Sequence, residues 1–231
     1  VRDHYVRWFM DQYTETLAKY PNVDAAHIQF FGHSNGAYLV TKALEEYSSM
    51  HINRVVLAGS VVRKNYDWKS IMEGANPQVL QVRNYVGTED WVVALFPRLF
   101  ELRPFLWLKN ELGSSGFSGF DAGGGCGPNR VPALPSVTNV CYVKGEHSAF
   151  EGRVTEVVDF LLSTKPAEAA QVDRPSVGWL LDLRMTVWLT WLVIASLIVW
   201  IGFRVVLAAP SPNWIVLVLY ALLVLRILQT I

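Results

Sequence analysis

Residues 27–36, His27-Ile28-Gln29-Phe30-Phe31-Gly32-His33-Ser34-Asn35-Gly36, run an apolar, β-prone segment straight into a hydroxyl set between two glycines. In a GxSxG elbow the chain turns so sharply from strand to helix that side chains beside the serine crowd the turn, and the strain lifts the hydroxyl clear of the sheet edge. That turn needs a strand before it and a helix after it, and both are legible here. HIQFF reads as the strand, and Ala37, Val40, Thr41, Leu44 and Tyr47 share one face of a helix from about Asn35 to Tyr47. The competing reading is an ordinary strand-to-helix turn with Ser34 as a capping residue.

Working outward, four runs rich in Val, Ile, Phe and Tyr predict strands at His27–Phe31, Arg54–Ala58, Val79–Val86 and Val137–Val143. Helical spacing appears before the first, through Tyr5, Phe9, Tyr13, Leu17 and Tyr20, and after the last, through Phe150, Val154, Val157, Val158 and Leu161. Strands separated by helices pair in parallel, because such long crossovers are not hairpins. The expected fold class is therefore α/β: a parallel sheet with flanking helices.

A parallel sheet brings all its carboxyl ends to one rim. Behind the third strand stands Gly87-Thr88-Glu89-Asp90-Trp91-Val92-Val93, and behind the fourth Lys144-Gly145-Glu146-His147-Ser148-Ala149-Phe150. Serine is a poor nucleophile unless an imidazole takes its proton, and that imidazole needs a carboxylate to orient it and stabilise its charged form. Ser34, Asp90 and His147 are the candidates for those roles, with Glu89 and Asp67 as rival acids. His33 is expected to face away from the serine's side of the turn and to line or pack. Metal chemistry finds no motif: there is no HExxH and no clustered His and Asp/Glu spacing, and no cofactor is expected.

Through GHSNG, GTEDWVV and KGEHSAF, in that order, residues 1–164 resemble the α/β-hydrolase superfamily. The resemblance implies Ser34 as nucleophile, His147 as general base and then acid, Asp90 as orienting carboxylate, Gly32 and Gly36 as elbow glycines, and the N–H of Asn35 as an oxyanion-hole donor. It also implies strands ahead of the elbow, and a second oxyanion donor from one of their loops. Only one helix precedes the elbow here, so the N-terminal strands are expected to be missing. With Val1 in place of Met and no signal-peptide pattern, a fragment or a trimmed product is expected.

The chain has 20 basic and 20 acidic residues and no net charge, which argues against a nucleic-acid surface. Cys126 and Cys141 show neither zinc-site spacing nor the density of a disulfide scaffold, and do not fix the redox compartment. Between the third and fourth strands, Trp91–Leu108 mixes bulky apolar groups with Arg98 and Arg103, as a lid or a membrane-surface segment does; a helix covering the sheet is the plainer reading. The glycine-rich stretch that follows precedes prolines rather than a helix and lacks GKS or GKT, so it reads as a flexible loop and not a phosphate cradle.

Residues 165–184 are expected to form a linker, Ala-, Pro- and charge-rich from Lys165 to Pro175, and Met185 to Phe203 carries no charge. That run is long enough to cross a bilayer core as a helix, and Trp214–Ile231 beyond the turn at Pro210–Asn213 is expected to complete a transmembrane hairpin over 185–231. The protein is thus expected to be integral to a membrane, with a faint lean from its basic residues toward a cytoplasmic domain. Two functions follow. One is a membrane-anchored serine esterase acting on an ester or lipid-like substrate, or an acyltransferase using the same residues. The other is a non-catalytic membrane protein that uses a hydrolase-like domain for binding or assembly.

Overall fold

The computed structural model describes residues 2–22, 27–87, 90, 93, 112–126, 131–143, 147–162, 184–207, 218, 220 and 222. In chain order these form α1 (Arg2–Lys19), β1 (Gln29–His33), α2 (Asn35–Glu46), β2 (Ile52–Ala58), α3 (Trp68–Met72), β3 (Val79–Gly87), the single turn α4 (Ser115–Ser118), β4 (Val137–Val143), a 3-10 turn (Ala149–Arg153) leading into α5 (Val154–Leu162), and α6 (Arg184–Leu207). Two compact units result, the first holding every element through α5 and the second holding α6.

The sheet is four-stranded, in the order β1-β2-β3-β4, and every pairing is parallel. Alternation along each strand sends side chains to opposite faces. In β2, Val55 and Leu57 join a core with α1 and α2, whereas Val56 and Ala58 join one with Val157 and Phe160 of α5. Burial on both faces is why the strands read as continuous β-branched runs rather than as apolar–polar alternation.

The expected α/β class and parallel sheet are present, with informative shifts. β4 keeps its predicted bounds, whereas β1 lies two residues later than His27–Phe31, because Gly32 and His33 continue the strand into the elbow. The buried stripe of α1 runs through Val6, Phe9, Met10, Tyr13 and Leu17, and Tyr5 and Tyr20 are exposed. The Tyr13 hydroxyl explains the phase: it donates to the His51 carbonyl and accepts from the His51 N–H, both at 3.0 Å. In α5 the 3-10 start rotates the helix, so that Val157 and Phe160 are buried while Val154 and Val158 are exposed.

The glycine-rich stretch is the largest correction. Residues 113–126 form a packed segment in which Ser115, Phe117 and Phe120 are fully buried. The amides of Gly113, Ser115 and Gly116 donate to the carbonyls of Val61, Val62 and Ser60, binding the segment to the turn after β2. A Cβ on Gly116 would stand 2.3 Å from the Ser60 nitrogen, so glycine is needed for this approach and not for flexibility. Asn139 of β4 grips Phe120 at both its N–H and its carbonyl, at 2.9 Å each. Cys126 and Cys141, unassigned in the sequence, are joined as a disulfide.

The 24-residue α6 covers the predicted first span, with several of its side chains outside the description. Among the described residues no helix is long and apolar enough to cross a membrane. The apolar excursion of 94–111, Glu89, the linker of 165–183 and most of the second predicted span lie outside the described residues.

Candidate functional site

The elbow begins where β1 ends. Ser34 has φ 52° and ψ −116°, and among the described residues it alone has a positive φ without being glycine. An L-residue adopts such a conformation at a cost of about 1–3 kcal/mol, so the surroundings must enforce it. Its N–H donates to the Ala58 carbonyl at 3.0 Å, and its own carbonyl accepts from Ala37 N–H at 3.0 Å to start α2. Ser34 occupies the N-cap position of α2, yet its side chain makes no cap hydrogen bond. A capping serine would accept from the second or third helical N–H, so the capping reading loses its chemical basis.

The two elbow glycines differ. On Gly32 a Cβ would lie 2.9 Å from the Phe30 ring and 3.0 Å from Ala37 N, whereas on Gly36 it would meet no described atom within 4 Å. Only Gly32 is demanded by crowding. Asn35 is the first, exposed residue of α2, and its amide belongs to the first turn, whose N–H groups have no partner within the helix.

The other two candidates meet directly. Asp90, three residues beyond β3, is 1% exposed, and its carboxylate oxygens lie 3.1 and 3.0 Å from His147 Nδ1. Its Oδ1 also accepts from Val93 N–H at 3.0 Å, which fixes the carboxylate plane. A carboxylate only accepts, so in the neutral ring Nδ1 carries the proton and Nε2 is the basic nitrogen. The rival Asp67 is exposed and caps α3 instead, accepting from Ser70 N–H at 3.2 Å. Hydrogen bonding from Ser70 holds its carboxyl below the usual range. Glu89 lies outside the described residues.

Two residues at this rim were not legible as functional. Gly59 follows β2 with φ +52°, and a Cβ there would lie 2.7 Å from His147 Cε1 and 2.8 Å from Nδ1. The imidazole thus rests on a position that only glycine leaves open. His33, expected to face away from the serine's side of the turn and to line or pack, does pack, but against His147, the residue expected to serve the serine: the rings are 4.6 Å apart and His33 Nε2 lies 3.1 Å from the His147 carbonyl. Nothing in the local pattern announces either role, because both depend on where a residue more than eighty positions away comes to rest.

The Ser34 amide and the His147 ring thus meet consecutive residues at the end of β2, Ala58 and Gly59, and His147 meets Asp90; among the described residues no hydrogen bond joins the Ser34 hydroxyl to His147. Among the described residues no group of His, Cys, Asp and Glu is arranged to hold a metal ion. Comparison with protein-family models, curated proteins and solved structures yields no match to this chain.

Proposed function

We propose that this protein is a serine hydrolase that cleaves a carboxylic ester through an acyl-enzyme on Ser34. The observation that carries the reading is the strained backbone of Ser34, held at φ 52° on the strand end that neighbours the seat of the Asp90–His147 pair. Strain of this kind is retained where the position of a side chain matters. In this reading His147 Nε2 removes the Ser34 proton as Oγ attacks the ester carbonyl, and the same proton passes to the departing alkoxide. Water then attacks the acyl-enzyme with His147 again as base. Asp90 holds the imidazole and stabilises its charged form, and Asn35 N–H donates to the oxyanion. Transfer of the acyl group to an acceptor other than water uses the same residues.

The proposed substrate is an ester with an apolar portion, because the proposed setting is a membrane. That setting is supported by the uncharged run Met185–Phe203 and by exposed apolar side chains along α6, among them Leu192, Val193, Leu197, Trp200 and Phe203. The Cys126–Cys141 disulfide bears on the side. Disulfides persist in oxidising compartments and are reduced in the cytosol, so the lumenal or extracellular side is proposed for the domain, in place of the faint cytoplasmic lean of the basic residues.

The test is fluorophosphonate labelling of the full-length protein in membranes. Wild type is expected to label at a single serine, and Ser34→Ala and His147→Ala are expected to remain unlabelled. Labelling of wild type no greater than that of Ser34→Ala ends the hydrolase reading.

A further inference from the structure

Resting on that reading, we propose that His33 is a positioning residue: its Nε2–H and its ring, mounted on β1 next to the nucleophile, hold the backbone and imidazole of His147 in register with Ser34.

Asp90 alone does not define where the base sits. Both of its oxygens approach one nitrogen of the imidazole, which leaves the ring free to swing about that contact and leaves the His147 main chain without a fixed point. His33 supplies what is missing. Its Nε2 lies 3.1 Å from the His147 carbonyl oxygen. A carbonyl only accepts, so this nitrogen carries the proton and donates. The same ring stacks against the His147 ring at 4.6 Å, tilted by 49°. It also meets Phe150 at 5.0 Å, and Phe150 meets Phe31 of β1 at 4.9 Å. Gly59 leaves room for the imidazole, since any Cβ there would overlap it. His147 is thereby held by a carboxylate at Nδ1, a donor on its own carbonyl and the His33 ring, with Gly59 leaving room beside Cε1 and Nδ1.

The mount explains why the donor stands at this position. His33 pairs with Ala58 in the β1–β2 register, so it belongs to the rigid sheet and not to a loop. It is also one peptide bond from Ser34, so the base is referenced to the element that carries the nucleophile. Misplacement of reacting groups by about 1 Å costs roughly a hundredfold in rate, which is the scale on which such a reference matters. Phenylalanine at this position would keep the stack and lose the donor. Glutamine would keep a donor at the place of Nε2 and lose most of the stack.

The experiment measures ester hydrolysis and fluorophosphonate labelling for full-length wild type, Ser34→Ala, His33→Phe and His33→Gln, together with thermal unfolding of each. His33→Phe is expected to lower kcat by about ten- to a hundredfold with KM within about twofold of wild type, and His33→Gln to recover kcat to within about threefold. Unchanged kcat in His33→Phe overturns the proposal. So does a defect confined to KM, which would make His33 a substrate-lining residue, and so does failure of Gln to exceed Phe. If His33→Phe does not fold, His33→Asn takes its place: its amide ends short of the carbonyl, so kcat above that of His33→Gln overturns the proposal. Wild type labelling no better than Ser34→Ala is a different result, which removes the hydrolase reading and this inference with it. Normal wild-type labelling with indifferent His33 variants removes this inference alone.

Discussion

β1 and β2 lie side by side in parallel, with His33 opposite Ala58, and each is followed by a residue with φ of 52°. At the end of β2 that residue is Gly59, for which the conformation is free. At the end of β1 it is Ser34, for which it is strained. The same positive φ is thus met by the cheap residue where only space is needed, to seat the His147 ring, and by the costly one where a hydroxyl is needed. A chain that required only a turn at β1 would be better served by glycine there. The contrast separates the functional reading of GHSNG from the merely structural one more sharply than the motif itself does.

Removing either chemical group should break the contrast most severely. Ser34→Ala keeps the fold and loses the nucleophile, and hydrolysis should fall by about 10⁶-fold, to background. Asp90→Asn leaves the carboxamide where the carboxylate was but no longer enforces a protonated Nδ1 on His147, and kcat should fall by roughly 10⁴-fold. Steady-state kinetics of the full-length protein on a chromogenic ester reads both. Activity in Asp90→Asn within tenfold of wild type would return Glu89 to contention.

The end of β2 can be disturbed from two directions. The segment that clasps Ser60, Val61 and Val62 is tied to β4 through the Cys126–Cys141 bond, across a sequence separation of 15. Closing a loop of that size is worth about 3 kcal/mol in the chain-entropy picture. Cys126→Ala with Cys141→Ala should lower unfolding stability by about that amount, as should a reductant acting on wild type, in denaturant titrations. Gly59→Ala acts more locally. The added methyl meets the imidazole at 2.7 Å, so the ring must move, and kcat should drop about a hundredfold, equivalent to about 2.7 kcal/mol. A Gly59→Ala variant with wild-type kcat would mean that His147 is not seated there during turnover.

What could be read in advance follows the range of the interactions. The strands announce themselves because burial on both faces selects consecutive β-branched residues, and β4 is found at its predicted bounds. The strand ends behind which Ser34, Asp90 and His147 stand are legible because strand ends are local features and a parallel sheet brings them to one rim. Gly59 and His33 are not, since each is defined by the ring of His147, which only the folded chain brings to them. The stretch of 113–126 misleads for a related reason. Glycine in sequence signals freedom and close approach alike, and here Gly116 serves approach, with its amide on the Ser60 carbonyl. Two solitary cysteines likewise say nothing of each other until Cys126 and Cys141 come within a Cα separation of 5.6 Å.

The smallest expected effect tests the comparison most directly, because it concerns stability alone. Ser34→Gly places at the end of β1 the residue type that follows β2 at the same φ. It removes the Cβ that makes φ 52° costly, a relief of about 1–3 kcal/mol, and adds unfolded-state entropy worth roughly 0.5–1 kcal/mol in the opposite sense. Ser34→Ala loses the same hydroxyl but keeps the Cβ and its strain. The difference between the two inactive variants therefore isolates the backbone term. Glycine should be the more stable by about 1 kcal/mol, a rise in Tm of about 2–4 °C for a chain of this size. If alanine proves as stable as glycine, the elbow is relaxed, the two strand ends are alike for no functional reason, and the strain at Ser34 ceases to argue for a nucleophile.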